Sequence, residues 1–253
     1  MKEFVDRKEV VGLGEVMSYY DVVDGNPEIL DKIALFKGKT IDGHTAGMPE
    51  ELLDKYVAAG ISDDHECSDK AAMLARYEKG MNIYVREGSA AHNADELLSA
   101  VKEFNLDVAK FAFCTDDIHL TTIEKEGHIS KIVNMALRKG LGWGEVAAMA
   151  SYNACRYYGL EKRGNVRKGY IADIAVVNPD CTKVVCVFKN GEKVAENAKS
   201  LLEYNKKAVL SSDFENTVKF RELAEKDFVI PERLRGVALE LVDKVLSQTL
   251  VVV

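Results

Sequence analysis

Through the first two-thirds of the chain, short apolar runs alternate with longer amphipathic stretches. Five runs read as strands: Glu9–Met17, Lys39–His44, Ile61–His65, Met81–Arg86 and Val108–Cys114. The stretches between them carry helix punctuation. Asn26-Pro27 opens a helix running to about Lys37, with a cap followed by proline at the first helical position. Pro49 starts a helix that ends at Gly60, and Ser68 caps one that Gly80 closes. Asn93, with Glu96 three residues on, has the spacing of a capping box. Two further helical stretches cover about Ile129–Lys139 and Gly144–Tyr158. Strands alternating with helices of this length indicate βαβ units and a parallel sheet.

Polar residues close the five strands at Glu15, His44, His65, Arg86 and Asp116, with successive gaps of 29, 21, 21 and 30 residues. Parallel α/β folds carry their chemistry at the C-terminal ends of the strands. Those five positions are therefore the first place to look for function. The pattern changes after Asn165. Val166–Val194 is rich in β-branched residues, with turn signals at Asn178-Pro179-Asp180 and at Asn190-Gly191, a two-residue hairpin signal. A polar stretch near Ala198–Ala208 reads as helix, and Arg235–Val253 ends in a loosely alternating, strand-like pattern.

The chain has 253 residues and a formal net charge of −7, with 47% hydrophobic and 30% charged residues. This suits a globular protein rather than a disordered one. The acidic balance speaks against a nucleic acid or an anionic membrane as partner. No apolar run is long enough to span a bilayer, and MKEFVDRKEV has no signal-peptide core. The five cysteines are odd in number and form no CxxC pair, which points to a reducing cytoplasm rather than a disulfide framework. Cys114 reads as a small buried residue and Trp143 as packing. His92 and His128, near helix starts, read as surface residues.

Glu15, His44, His65 and Asp116 are two carboxylates and two imidazoles, each closing a different strand. A parallel barrel would converge them on one rim. Such a donor set suits a first-row divalent ion, Mn²⁺, Fe²⁺ or Zn²⁺. The ion would lower the pKa of a water, and a strand-end Asp could carry the proton. Taken singly, each residue is more simply a loop or core residue; in register across successive units they form a candidate metal site.

The segments GLGEVM (12–17), IDGHTAG (41–47), GISDDHEC (60–67), YVREGSAAHN (84–93) and FCTDD (113–117) resemble, in this order, the amidohydrolase superfamily. Within it they are similar to the bacterial and archaeal adenine deaminases. ASYNACRYYGL (150–160) with GNVRKGYIADIAVV (164–177) resembles the end-of-barrel helix and the return to a small β-sandwich; FKNGEKVAEN (188–197) resembles the hairpin closing it. TVKFRELAEKDFVIP (217–231) is similar to the start of an extra C-terminal α+β domain.

The resemblance implies an α/β fold: a partial (β/α)8 TIM-type barrel, strands four to eight, over 1–160, a β-sandwich return segment over 161–200 and the start of a C-terminal domain over 201–253. It implies hydrolytic deamination of adenine to hypoxanthine and ammonia, as in purine salvage. Glu15 matches a carboxylate bridging two metals. His44 and His65 match the fifth- and sixth-strand ligands, and Asp116 an eighth-strand ligand and proton shuttle. Glu66, beside His65, is a candidate orienter or proton carrier. Arg86, Glu87 and Ser89 match a segment that shapes the purine pocket, and His119 joins them as a candidate lining residue. Two divalent ions, Mn²⁺ first, are implied for the complete enzyme.

The family's His-x-His pair on the first barrel strand has no counterpart: the first histidine is His44. Five strands stand where a closed barrel has eight. The expectation is a fragment that needs a complementing N-terminal part, in a cytoplasmic, homo-oligomeric or two-chain assembly. Another cyclic amidohydrolase, or a purine-binding module without catalysis, would share much of this pattern.

Overall fold

A computed structural model describes residues 1–178, 180, 183–203, 217–230, 237–241 and 248–252, the last two groups as backbone. The five expected strands form as β1 Gly12–Val16, β2 Thr40–Gly43, β3 Asp63–Asp64, β4 Asn82–Arg86 and β5 Phe111–Cys114. All are shorter than the apolar runs containing them. Parallel pairing joins β1 to β2, and β3 to β4 to β5. Between β2 and β3 the backbone ladder is interrupted. The Ser62 amide donates to the Ile41 carbonyl at 3.2 Å, but the next link runs through a side chain: the Gly43 amide donates to Asp63 Oδ1 at 2.8 Å. The strands thus follow one another in sequence order. Among the described residues, β1 and β5 each pair with a single neighbour, and no closed barrel forms.

Helices α1 Tyr19–Val23, α2 Pro27–Leu35, α3 Leu53–Ala58, α4 Lys70–Glu78 and α5 Ala94–Glu103 fill the connections. After β5 come α6 Leu120–Glu126, α7 Ile129–Arg138 and α8 Trp143–Ala147. A π-helical turn, Ala148–Tyr152, then leads into α9 Asn153–Tyr157. The expected Gly144–Tyr158 helix is therefore continuous but widened in the middle. Asn153 anchors it by donating to the Val108 and Phe111 carbonyls at the entry to β5, both at 2.8 Å.

The core lies between the sheet and its helices. Ile83, Val85 and Phe111 from the strands meet Met73, Leu97, Leu98, Val101, Ile132 and Met149 from the helices, all essentially fully buried. Burial of each such side chain contributes about 1.5–3 kcal/mol. Asn26 caps α2 by accepting from the Glu28 amide, with Pro27 next, as expected. Two other caps differ. Asp69, not Ser68, caps α4, accepting from Ala72 at 2.9 Å. The Asn93–Glu96 box does not form: Glu96 turns to the Lys70 amide at the start of α4, and Glu87 accepts from the Ala94 amide instead. Tertiary packing of α4 on α5 offers Glu96 a helix start other than its own.

The second module is an antiparallel sheet of β6 Ile174–Val177, β7 Val184–Lys189, β8 Glu192–Glu196 and β9 Lys199–Ser200, with the Asn190-Gly191 turn between β7 and β8. The helix expected from Ala198 is not seen at its start, where β9 pairs with β8, and 204–208 lie outside the described residues. The expected tail strands appear as β10 Val237–Leu241 and β11 Gln248–Val252, paired antiparallel. Trp143 does not bury as expected. It is 44% exposed and lines an apolar groove of about 690 Å³ with Tyr152, Val166, Ile174 and Val184. No helix among the described residues is long and apolar enough to cross a membrane.

Candidate metal centre

The C-terminal ends of β1 to β5 do converge. Glu15 is the fourth residue of β1, His44 follows β2, and His65 follows β3. One ligand atom from each of these three lies within 4.8 Å of the others. His65 Nε2 is 3.1 Å from Glu15 Oε2, and the two imidazoles meet edge to face with ring centroids 5.4 Å apart. A second group, sharing His65, brings in Glu66 and Asp116 under the same limit. Glu66 is the hub: its Oε1 stands 3.4 Å from Nε2 of both histidines.

Three devices hold the ligand-bearing ends together. Tyr56 of α3, fully buried, donates its hydroxyl proton to the Val16 carbonyl at 2.7 Å and accepts from the His44 amide at 2.9 Å. One phenol thus ties the end of β1 to the end of β2. Burial pushes its pKa well up, so it stays a neutral donor. Asp64, also fully buried, accepts from the Thr45 amide at 2.9 Å and the Glu66 amide at 3.1 Å, with Arg76 Nε 3.5 Å away. Asp63 takes the Gly43 amide. These two side chains stand in for a backbone ladder between β2 and β3, and Asp64 joins the segment after β2, at Thr45, to the segment after β3, at Glu66. Gly43 has to be glycine here: a Cβ would stand 2.2 Å from the Asp63 carbonyl oxygen.

Arg86 ends β4 and is 1% exposed. Its guanidinium grips Glu66 with both terminal nitrogens, Nη2 at 2.9 Å from Oε2, and reaches Asp116 Oδ2 from Nη1 at 2.9 Å. Burial works against its charge, but the Glu66 and Asp116 carboxylates outweigh that and raise its pKa overall. Asp116 is exposed and has φ +51°, a left-handed conformation that non-glycine residues seldom adopt. Cys114 lies just below, its thiol pKa pushed well up by burial. The residue is half-buried rather than fully buried as expected, and a thiol held neutral in this way is a poor nucleophile.

The remaining sequence-based candidates sit around this cluster with other partners. Glu87 turns away from it, to the Ala94 amide, His92 Nδ1 at 3.0 Å and Lys131 Nζ at 3.0 Å. Ser89 Oγ accepts from the His119 amide at 2.8 Å and pairs with Thr122 Oγ1. Ser89 therefore fixes the loop after β5, while the His119 ring is exposed. Gly88 between them allows a close approach: a Cβ there would overlap the Asp117 carboxylate, which accepts from the Ala90 amide. His128 is exposed as expected, but its Nε2 lies 3.0 Å from Thr115 Oγ1. The sequence reading overlooked Tyr56, Asp63 and Asp64. The Asp63-Asp64 pair had a usable signal, since two acids in a strand buried on both faces must be hydrogen-bonded. Tyr56 had none.

The donor set fits a divalent cation. Two imidazole nitrogens and several carboxylate oxygens converge from separate rigid elements, and of the cluster's carboxylates the Arg86 guanidinium engages only Glu66 and Asp116, leaving room for added positive charge.

The strand-end cluster sits on sequential βα units that are followed by a small antiparallel sheet. The family model for the amidohydrolase family matches residues 1–194, and the chain belongs to that family. Its sequence is 37% identical over 239 residues to the adenine deaminase of Petrotoga mobilis, covering 92% of this chain and 41% of that one. With the adenine deaminase of Bacillus velezensis it shares 38% over 236 residues, covering 91% and 41%. The chain thus spans about two-fifths of the length of the curated relatives it matches. Among solved structures, a β-aspartyl dipeptidase from Fervidobacterium islandicum AW-1 superposes with a TM-score of 0.63 at 16% identity, covering 80% of this chain and 60% of that one. An N-acetylglucosamine-6-phosphate deacetylase from Thermotoga maritima gives 0.52 at 16% identity, covering 68% and 56%. These two likenesses bear on the fold.

Proposed function

We propose that the chain is the later part of a metal-dependent adenine deaminase, converting adenine and water to hypoxanthine and ammonia in purine salvage. Its five βα units would be strands four to eight of an eight-stranded barrel. The observation that carries this reading is the convergence of Glu15, His44, His65, Glu66 and Asp116 in a chain so similar to adenine deaminases. The open edges of β1 and β5, and the share of the relatives' length left unmatched, support a preceding segment that completes both the sheet and the ligand set.

In this reading Glu15, His44, His65 and Asp116 hold a divalent ion, Mn²⁺ first and Fe²⁺ or Zn²⁺ as alternatives, with a second ion in the complete enzyme. When bound, the ion supplies positive charge at the reacting carbon and makes water a better nucleophile near neutral pH. The C–O bond forms first, by addition to the ring carbon with a proton taken up at the adjacent ring nitrogen, and the C–N bond to the exocyclic amino group then breaks. Asp116, exposed on the left-handed turn after β5, takes a proton from the attacking water and returns it to the departing ammonia. Glu66 keeps both imidazoles oriented through its Oε1. Ser89 and His119, coupled through one hydrogen bond, border the space left for the purine.

The test is hypoxanthine and ammonia release from adenine with added Mn²⁺, by the chain alone and by the chain mixed with the N-terminal portion of a relative such as the Bacillus velezensis enzyme. Stoichiometric products from the mixture, and little from the chain alone, are expected. Robust turnover by the chain alone would overturn the need for a preceding segment. No turnover by the mixture, with both parts folded, would overturn the deaminase reading.

A further inference from the structure

Arg86 has the sequence context of a pocket-lining residue, yet its hydrogen bonds go elsewhere. Both terminal nitrogens engage Glu66, and Nη1 also reaches Asp116. Its Nε is buried without a partner, and the whole residue is 1% exposed. A guanidinium so enclosed has no face to present to a purine. What it does control is the position of two carboxylates from different strands. The Glu66 side chain, 7% exposed, carries the oxygen that stands 3.4 Å from both His44 Nε2 and His65 Nε2. Asp116 hangs from a backbone in a seldom-used conformation, so its side chain needs an anchor to hold one direction.

We propose that Arg86 is a positioning residue that clamps Glu66 and Asp116 across the site and thereby sets the geometry of the His44–His65 pair, rather than a residue that binds substrate. The bidentate grip matters as much as the charge. A planar fork fixes a carboxylate in both distance and plane, which an ammonium cannot do. Loss of the fork leaves Glu66 as an uncompensated buried charge and frees Asp116 to swing toward solvent. This assignment rests on the metal-site reading above, but its clamp can be tested without metal.

Two measurements on the purified chain test it. In the first, Mn²⁺ and adenine dissociation constants are compared for the native chain, Arg86→Gln and Arg86→Lys. Mn²⁺ binding should weaken about 10- to 100-fold in Arg86→Gln, the usual penalty for losing an outer support of a ligand. Arg86→Lys should recover part of that loss, and adenine binding should stay within about twofold. Unchanged Mn²⁺ affinity with adenine binding weakened about tenfold or more would overturn the proposal in favour of a substrate contact. The second measurement is metal-free: urea midpoints in EDTA for Arg86→Gln, Asp116→Asn and the double variant. Coupled midpoints support the clamp, and strictly additive ones overturn it. If the native chain alone binds neither Mn²⁺ nor adenine, as a ligand set completed by a preceding segment allows, the metal-free cycle alone decides the clamp. Should Arg86→Gln not fold, Arg86→Lys takes its place in both measurements.

Discussion

Removing a single oxygen at Tyr56 should loosen the candidate site without touching any ligand. Tyr56→Phe keeps the ring that packs in the core and deletes only the hydroxyl that joins the Val16 carbonyl to the His44 amide. The residue is fully buried, so water cannot readily replace it. A buried polar group deprived of its partner costs about 1–3 kcal/mol. Two such groups lose a partner here, and backbone relaxation recovers some of the penalty, so a destabilisation of about 2–4 kcal/mol is expected. The assay is urea unfolding followed by far-ultraviolet circular dichroism in EDTA, at matched slopes so that midpoints compare directly. The consequence for function is separate. With the end of β1 untied from the end of β2, Glu15 and His44 lose their fixed spacing, and Mn²⁺ affinity should fall about tenfold or more. A destabilisation below about 0.5 kcal/mol would show that this bridge is not a constraint, and the account of how Glu15 and His44 are brought together would be wrong.

Two further outcomes follow from the β2–β3 seam. Gly43→Ala puts a methyl 2.2 Å from the Asp63 carbonyl oxygen and 2.9 Å from Ile61 Cγ2; the strands must part, with a stability loss of about 1–3 kcal/mol in the same unfolding assay. A midpoint equal to that of the native chain would mean the close approach is absent. Asp63 has its carboxyl pKa raised to about 8, first by burial and then by the nearby Asp42 carboxylate. The folded chain thus holds a proton that the unfolded chain releases near pH 4. This contribution to stability is complete below that pH and is lost as pH rises through about 8. Asp63→Asn should flatten the decline, which for one such group is at most about 1.4 kcal/mol per pH unit. Parallel stability–pH curves for variant and native chain would contradict it.

Sequence periodicity alone determined the five parallel strands, the longer helices between them and the Asn190-Gly191 hairpin, because helix and strand patterning and turn glycines are local properties; the short α1 and α6 were not legible in it. It also placed Glu15, His44, His65 and Asp116 at strand ends, where a parallel sheet must bring its chemistry. Local reasoning failed where a side chain chose between partners distant in sequence. Glu96 caps a neighbouring helix rather than its own, and the acids of β3 take the place of a ladder. Glu87 serves α5 and Lys131. Only the folded chain decided that Tyr56 ties two ligand-bearing strands and that Arg86 joins Glu66 to Asp116. Each depends on burial, which removes water as a competing partner. A buried hydrogen-bonding group must then find its match across the fold, and no spacing along the chain records which one it finds.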